Sequence, residues 1–213
     1  MQAVEKITEN TSWIPIVLVI LFSVIAVLKI IDTIKLKGYV FAIFNKGFVE
    51  DEVEEDTSIF SYFYSLLFLF FITVFSLALH FIISIKHPDF TSSFTSFLKV
   101  FLIVLCYFSA KRVLENAIAS LFLIKKYVRY YMVSKFGFQY SLSFILLIGF
   151  ILFQFSPLKP TNFLYFTIAL YLFRLIFLVR NNKNLIFSEL FYFILYICAF
   201  EIAPLLTLFK LML

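Results

Sequence analysis

Apolar runs long enough to cross a bilayer recur along this chain, separated by short polar links. That pattern excludes a soluble fold, because a small soluble domain always leaves a large share of its surface exposed to water. The composition agrees: 63% of the 213 residues are hydrophobic and 15% are charged. The expected fold class is all-α, a polytopic membrane protein of about six transmembrane helices with amphipathic interfacial helices on the cytoplasmic side. One integral membrane domain should occupy 1–213, with no room for a separate soluble unit.

At ~20 residues per crossing, the spans fall at 13–34, 59–85, 94–110, 138–155, 162–179 and 185–211. Trp13 suits an interfacial anchor at the start of the first. Glu5, Lys6 and Glu9 precede it without a basic leader or a small-residue cleavage site, so the first span is expected to be retained. Pro157 and Pro160 bracket a tight turn between the fourth and fifth spans.

Orientation follows from the basic residues of the short links. With the N-terminus outside, the cytoplasmic side receives nine: Lys35, Lys37, Lys46, Lys125, Lys126, Arg129, Lys135, Arg180 and Lys183. The outer side holds four: Lys6, Lys86, Lys159 and Lys210. Both termini are therefore expected outside, in the periplasm of a bacterial inner membrane.

Two stretches are neither spans nor ordinary turns. In 37–57, Tyr39 to Phe48 is too short to cross and is expected to lie in the interface, held by Lys37 and Lys46. The run Glu50 to Asp56, "EDEVEED", then reads as a solvated loop or as a dock for a basic partner. In 111–136 the third helix should continue onto the cytoplasmic surface. Lys111 and Arg112 stand four and three residues before Glu115 and can pair with it along one face. Lys125, Lys126, Arg129 and Lys135 would then meet anionic headgroups or a partner protein.

Catalytic patterns are missing from the sequence. His80 and His87 are its two histidines, and no HExxH, GxSxG or phosphate-binding loop is present. Cys106 and Cys198 lie in apolar spans without a redox or metal spacing. The protein is expected to be non-enzymatic, with no cofactor, no metal and no nucleic-acid partner. A lipid-linked enzyme using the acidic run is the weakest of three alternatives.

The 32 Phe and 12 Tyr against four Gly carry little functional meaning, since aromatic and Lys-rich usage follows AT-rich coding. The glycine scarcity is more useful. Only Gly149 sits inside a span, and no GxxxG motif exists to bring two helices close.

One site stands out in the last span. Glu201 falls about 16 Å from the outer end, near the bilayer centre, where a charge needs a partner. Pro204 removes a backbone donor and frees a carbonyl beside it. Lys210 is on the opposite helical face, so partners must come from Lys99, His80 or Arg174 on other helices. A polar clamp between helices is the first expectation for this cluster, and a proton or cation site in a coupled transport component is the second. Neither repeat symmetry nor paired broken helices support the second.

The tail "LYLFRLIF" followed by "FYFILYICAFEIAPLLTLFKLML" resembles the end of an uncharacterised Bacteroidota inner-membrane family, a domain of unknown function numbered 4271. Glu201, Pro204, Lys210 and Arg174 occupy its characteristic positions, and "ENAIASLFLIKK" is similar to its cytoplasmic-side helix. The resemblance implies a compact helical protein of a two-membrane bacterium, without an activity to carry over. An accessory or scaffold role in an envelope complex, such as one for export or secretion, is what it implies about partners. The oligomeric state and the partner identities stay open.

Overall fold

A computed structural model of the chain describes residues 12–54, 62–86, 93–121, 125–156 and 159–181, with backbone alone at 46, 54, 116–121, 125–132, 178–179 and 181. Among the described residues there are seven α-helices and no strand. They are α1 (Trp13–Ile31), α2 (Thr33–Val40), α3 (Lys46–Glu54), α4 (Tyr62–Lys86), α5 (Phe94–Leu121), α6 (Lys125–Phe155) and α7 (Thr161–Asn181).

Local chemistry sets several of these boundaries. Asp32 adopts an extended backbone that ends α1, and its side chain accepts a 2.8 Å hydrogen bond from the Lys35 amide to start α2. Asn45 caps α3 through the Phe48 amide, and Ser93 caps α5 through the Ser96 amide. Pro160 stands just before α7, where a missing amide donor costs nothing.

Aromatic contacts give the direction of each long helix. His80 and Phe97 meet at one end of α4 and α5, while Phe71 meets Phe108 further along, so these two helices are antiparallel. Phe70 pairs with Phe144 and Phe81 with Phe150, so α4 and α6 run parallel. Phe81 pairs with Phe163 and Phe75 with Tyr171, so α7 runs back against α4. Trp13 of α1 joins the His80 end, and Leu28 is buried in the opposite half with Tyr64 and Leu67. Each long helix thus travels the same slab.

Within that slab α4 is central. Of its span-length apolar window 72% is buried, against 28% for α1, whose outer face bears Ile16, Val19, Ile20 and Phe22. The core has a half around Trp13, Phe70, Leu77 and Phe150, and a half around Leu28, Tyr39, Phe71 and Tyr140. A small third cluster, Ala42, Ile43 and Phe138, seats the α2–α3 hairpin on α6.

The structure departs from the expected spans. Among the described residues three helices are long and apolar enough to cross a membrane: Trp13–Ile31, Tyr62–Lys86 and Val133–Phe155 within α6. Helix α5 carries Lys99, Lys111, Arg112 and Glu115 along its length, and the apolar stretch of α7, Thr161–Phe177, is shorter. The expected sixth span, 185–211, lies outside the described residues. Trp13, at the start of α1, is buried: it stacks on Phe97 at 4.9 Å and meets His80 edge-on.

A buried polar network as the candidate functional site

Helices α2 to α6 meet at the end of the bundle opposite Trp13, and polar side chains are sunk into that junction. Lys135 of α6 and Glu115 of α5 form an ion pair at 2.6 Å, with side chains 1% and 0% exposed. A charge that deep is tolerable only with a close opposite charge. One oxygen of Glu115, Oε1, takes the lysine; the other, Oε2, has no hydrogen-bond partner among the described residues.

Beside the pair, the Arg112 guanidinium lies 5.0 Å over the Phe68 ring and 5.4 Å over the Phe136 ring. It also hydrogen-bonds Tyr140. Guanidinium groups only donate, so the Tyr140 oxygen is the acceptor.

A second chain of bonds starts on α3. Glu52 is buried and accepts a hydrogen bond from the Tyr64 hydroxyl at the start of α4. Tyr64 also bonds Tyr39 of α2. A phenol has one proton, and Tyr64 has given its own to Glu52, so Tyr39 donates to Tyr64. Burial, and then the Glu52 carboxylate, push the Tyr39 pKa well above the ordinary phenol range. The Tyr39 ring packs edge-on to Tyr140 at 5.6 Å and to Tyr64 at 6.1 Å, closing the circuit.

Glu115 with Lys135 thus ties α5 to α6, and Glu52 with Tyr64 ties α3 to α4, at one end of the bundle.

Several expected site residues land elsewhere. Lys135, expected at headgroups, is instead among the most buried side chains, because Glu115 draws it into the α5–α6 contact. The ion pair described for Glu115 thus runs between helices to Lys135, beyond the expected reach of Lys111 and Arg112 on its own face. Glu52 leaves the expected solvated loop: 50–54 is helical, Glu50 and Asp51 face out, and Glu52 turns in. Lys125, Lys126 and Arg129 lie on the first turns of α6, with side chains outside the described set.

The expected cluster around Glu201 is only partly visible. Glu201 and Pro204 lie outside the described residues. Lys99 sits on the exposed face of α5 beside Leu98, Leu102 and Ile103. His80 is buried between Trp13 and Phe97. Arg174 is buried near Tyr171, one turn from the Phe177 that meets Phe44. His80 and Arg174 therefore occupy opposite halves of the bundle and do not come together. Among the described residues no group of three His, Cys, Asp or Glu could hold a metal ion.

Sequence reasoning missed Tyr39, Tyr64, Tyr140 and Glu52 as one unit. A faint signal was present, since all three tyrosines lie near ends of apolar segments that the chain direction places at one side.

Three span-length apolar helices around buried polar groups mark an all-helical, membrane-associated protein among the described residues. A family model described as Domain of unknown function (DUF4271) matches residues 14–212, and the chain belongs to that family. No curated protein and no solved structure matches the chain.

Proposed function

We propose that the protein is a non-enzymatic, multi-pass subunit of a bacterial inner membrane that scaffolds an envelope complex. In this reading α1, α4, α5, α6 and α7 all cross, the expected 185–211 helix makes a sixth crossing, and the Trp13 end faces the periplasm. The observation that carries the proposal is the use of the buried polar groups. Glu115 to Lys135, Glu52 to Tyr64 and Arg112 to Tyr140 each join one helix to another. Such ties favour one fixed arrangement of helices, which is what a docking subunit needs.

The test is a tagged pull-down from native membranes in mild detergent, read by quantitative mass spectrometry. Stoichiometric membrane or envelope proteins are expected. A solitary protein whose deletion disturbs no complex overturns the reading. Coupled transport is the second reading, favoured by His80 and Arg174 buried on long helices together with Glu201 in the sequence. A folded Glu201→Gln protein with full cellular function removes it.

A further inference from the structure

The α2–α3 hairpin has an inner and an outer side. Its inner side is filled by protein: Leu36, Tyr39, Ala42 and Ile43 are buried, and the Ser141 hydroxyl donates to the Val40 carbonyl at 2.6 Å. Its outer edge is also apolar. Ile34 is 83% exposed, Phe41 53% and Phe44 67%. Lys37 is the exposed cation among them.

This edge does not begin at α2. It continues the outward row of α1, where Ile20, Val27 and Ile30 are exposed, and the Asp32 corner turns the chain without interrupting it. At its far end Phe44 meets Phe177 of α7, whose neighbour Ile176 is exposed. One apolar band therefore runs from a span-length helix onto the hairpin and up a second long helix. Water along such a band is unfavourable, and a lysine such as Lys37 within it has a stem that can reach a headgroup. The exposed acids Glu50 and Asp51 mark the part of the hairpin that stays in water.

We propose that the hairpin is embedded edge-on in the boundary between headgroups and acyl chains. Ile34, Phe41 and Phe44 lie among lipid chains, and Lys37 meets anionic headgroups. The occupant of this surface is lipid, because the band is continuous with the lipid-facing row of α1. The inference rests on the membrane reading above.

The experiment places one cysteine at a time in a Cys106→Ser, Cys198→Ser background: Phe44→Cys, Phe41→Cys, Ile20→Cys and Asp51→Cys. Each full-length protein is labelled with an environment-sensitive fluorophore in vesicles of phosphatidylethanolamine and phosphatidylglycerol. Quenching by iodide and by shallow and deep nitroxide lipids is then compared. Positions 41 and 44 are expected to respond most to the shallow nitroxide, with iodide quenching at least ~3-fold weaker than at position 51. Iodide quenching equal to position 51, or shielding from both quenchers as under a protein partner, overturns the inference. Position 20 separates the two readings: if it too escapes lipid quenching, the membrane reading itself has failed.

Discussion

Lys135 shows how far one side chain can depart from what its neighbours in sequence imply. Among Lys125, Lys126 and Arg129 it belongs to a basic run, yet it is 1% exposed and bound to a carboxylate 20 residues earlier. No spacing rule links residues on two helices, so the pair was illegible, whereas Glu201 stood out because one helix sufficed to place it. Lys135→Met strands the Glu115 charge and is expected to cost about 3–5 kcal/mol, read as a lower unfolding midpoint in detergent. Adding Glu115→Leu removes the stranded charge and should restore most of that loss. On the other chain of bonds, Tyr64→Phe leaves Glu52 without its donor and should cost about 1–3 kcal/mol in the same measurement. Tyr39 supplies the pH dependence. Because burial raises its pKa above the ordinary 10.0, the folded chain keeps a proton that the unfolded chain gives up. Its stabilising contribution is therefore complete below about pH 10 and shrinks as the pH rises further. Midpoints measured from pH 8 to 11 should fall more steeply for the parent than for Tyr39→Phe.

At the level of elements, apolar length made most helices visible beforehand. The starts of α1, α5 and α7 lie at or within a residue of the expected 13, 94 and 162, since Trp13, Ser93 and Pro160 mark them chemically. Helix α6 was harder. Its expected start at 138 is the point where the apolar run begins, but the backbone is helical from Lys125, because helix formation tolerates a polar first half that packs on α2 and α3. The stretch 37–57 was expected to hold an interfacial segment and a solvated loop, and its break into α2 and α3 was not foreseen. Gly149 now has a purpose that the missing GxxxG motif concealed. The ring of Phe166 from α7 occupies the space a side chain would fill on α6. Gly149→Val should separate the two helices at a cost of about 1–3 kcal/mol, and Phe166→Leu in the same chain should recover part of it. Thermal unfolding of the single and double variants checks both.

Across the whole molecule, helix directions bring Lys86 of α4 and Lys159, just before α7, to the Trp13 end, while Lys37 and Arg180 belong to the other. Single cysteines at 86 and 159 are expected to react with an impermeant maleimide from one side of the membrane, and those at 37 and 180 from the other. Reaction of all four from the same side contradicts the crossings proposed above. The same architecture has a consequence for how the protein is made. The Val40 carbonyl is held by Ser141, a residue synthesised 101 positions later. At ~5–20 residues per second the ribosome needs roughly 5–20 s to supply it. Until then the early hairpin lacks its seat, with Tyr39 waiting for Tyr64 and then Tyr140. Closure of the hairpin therefore reports that α4 and α6 have both arrived, and a chain stalled before α6 would leave the Val40 carbonyl without the Ser141 hydroxyl.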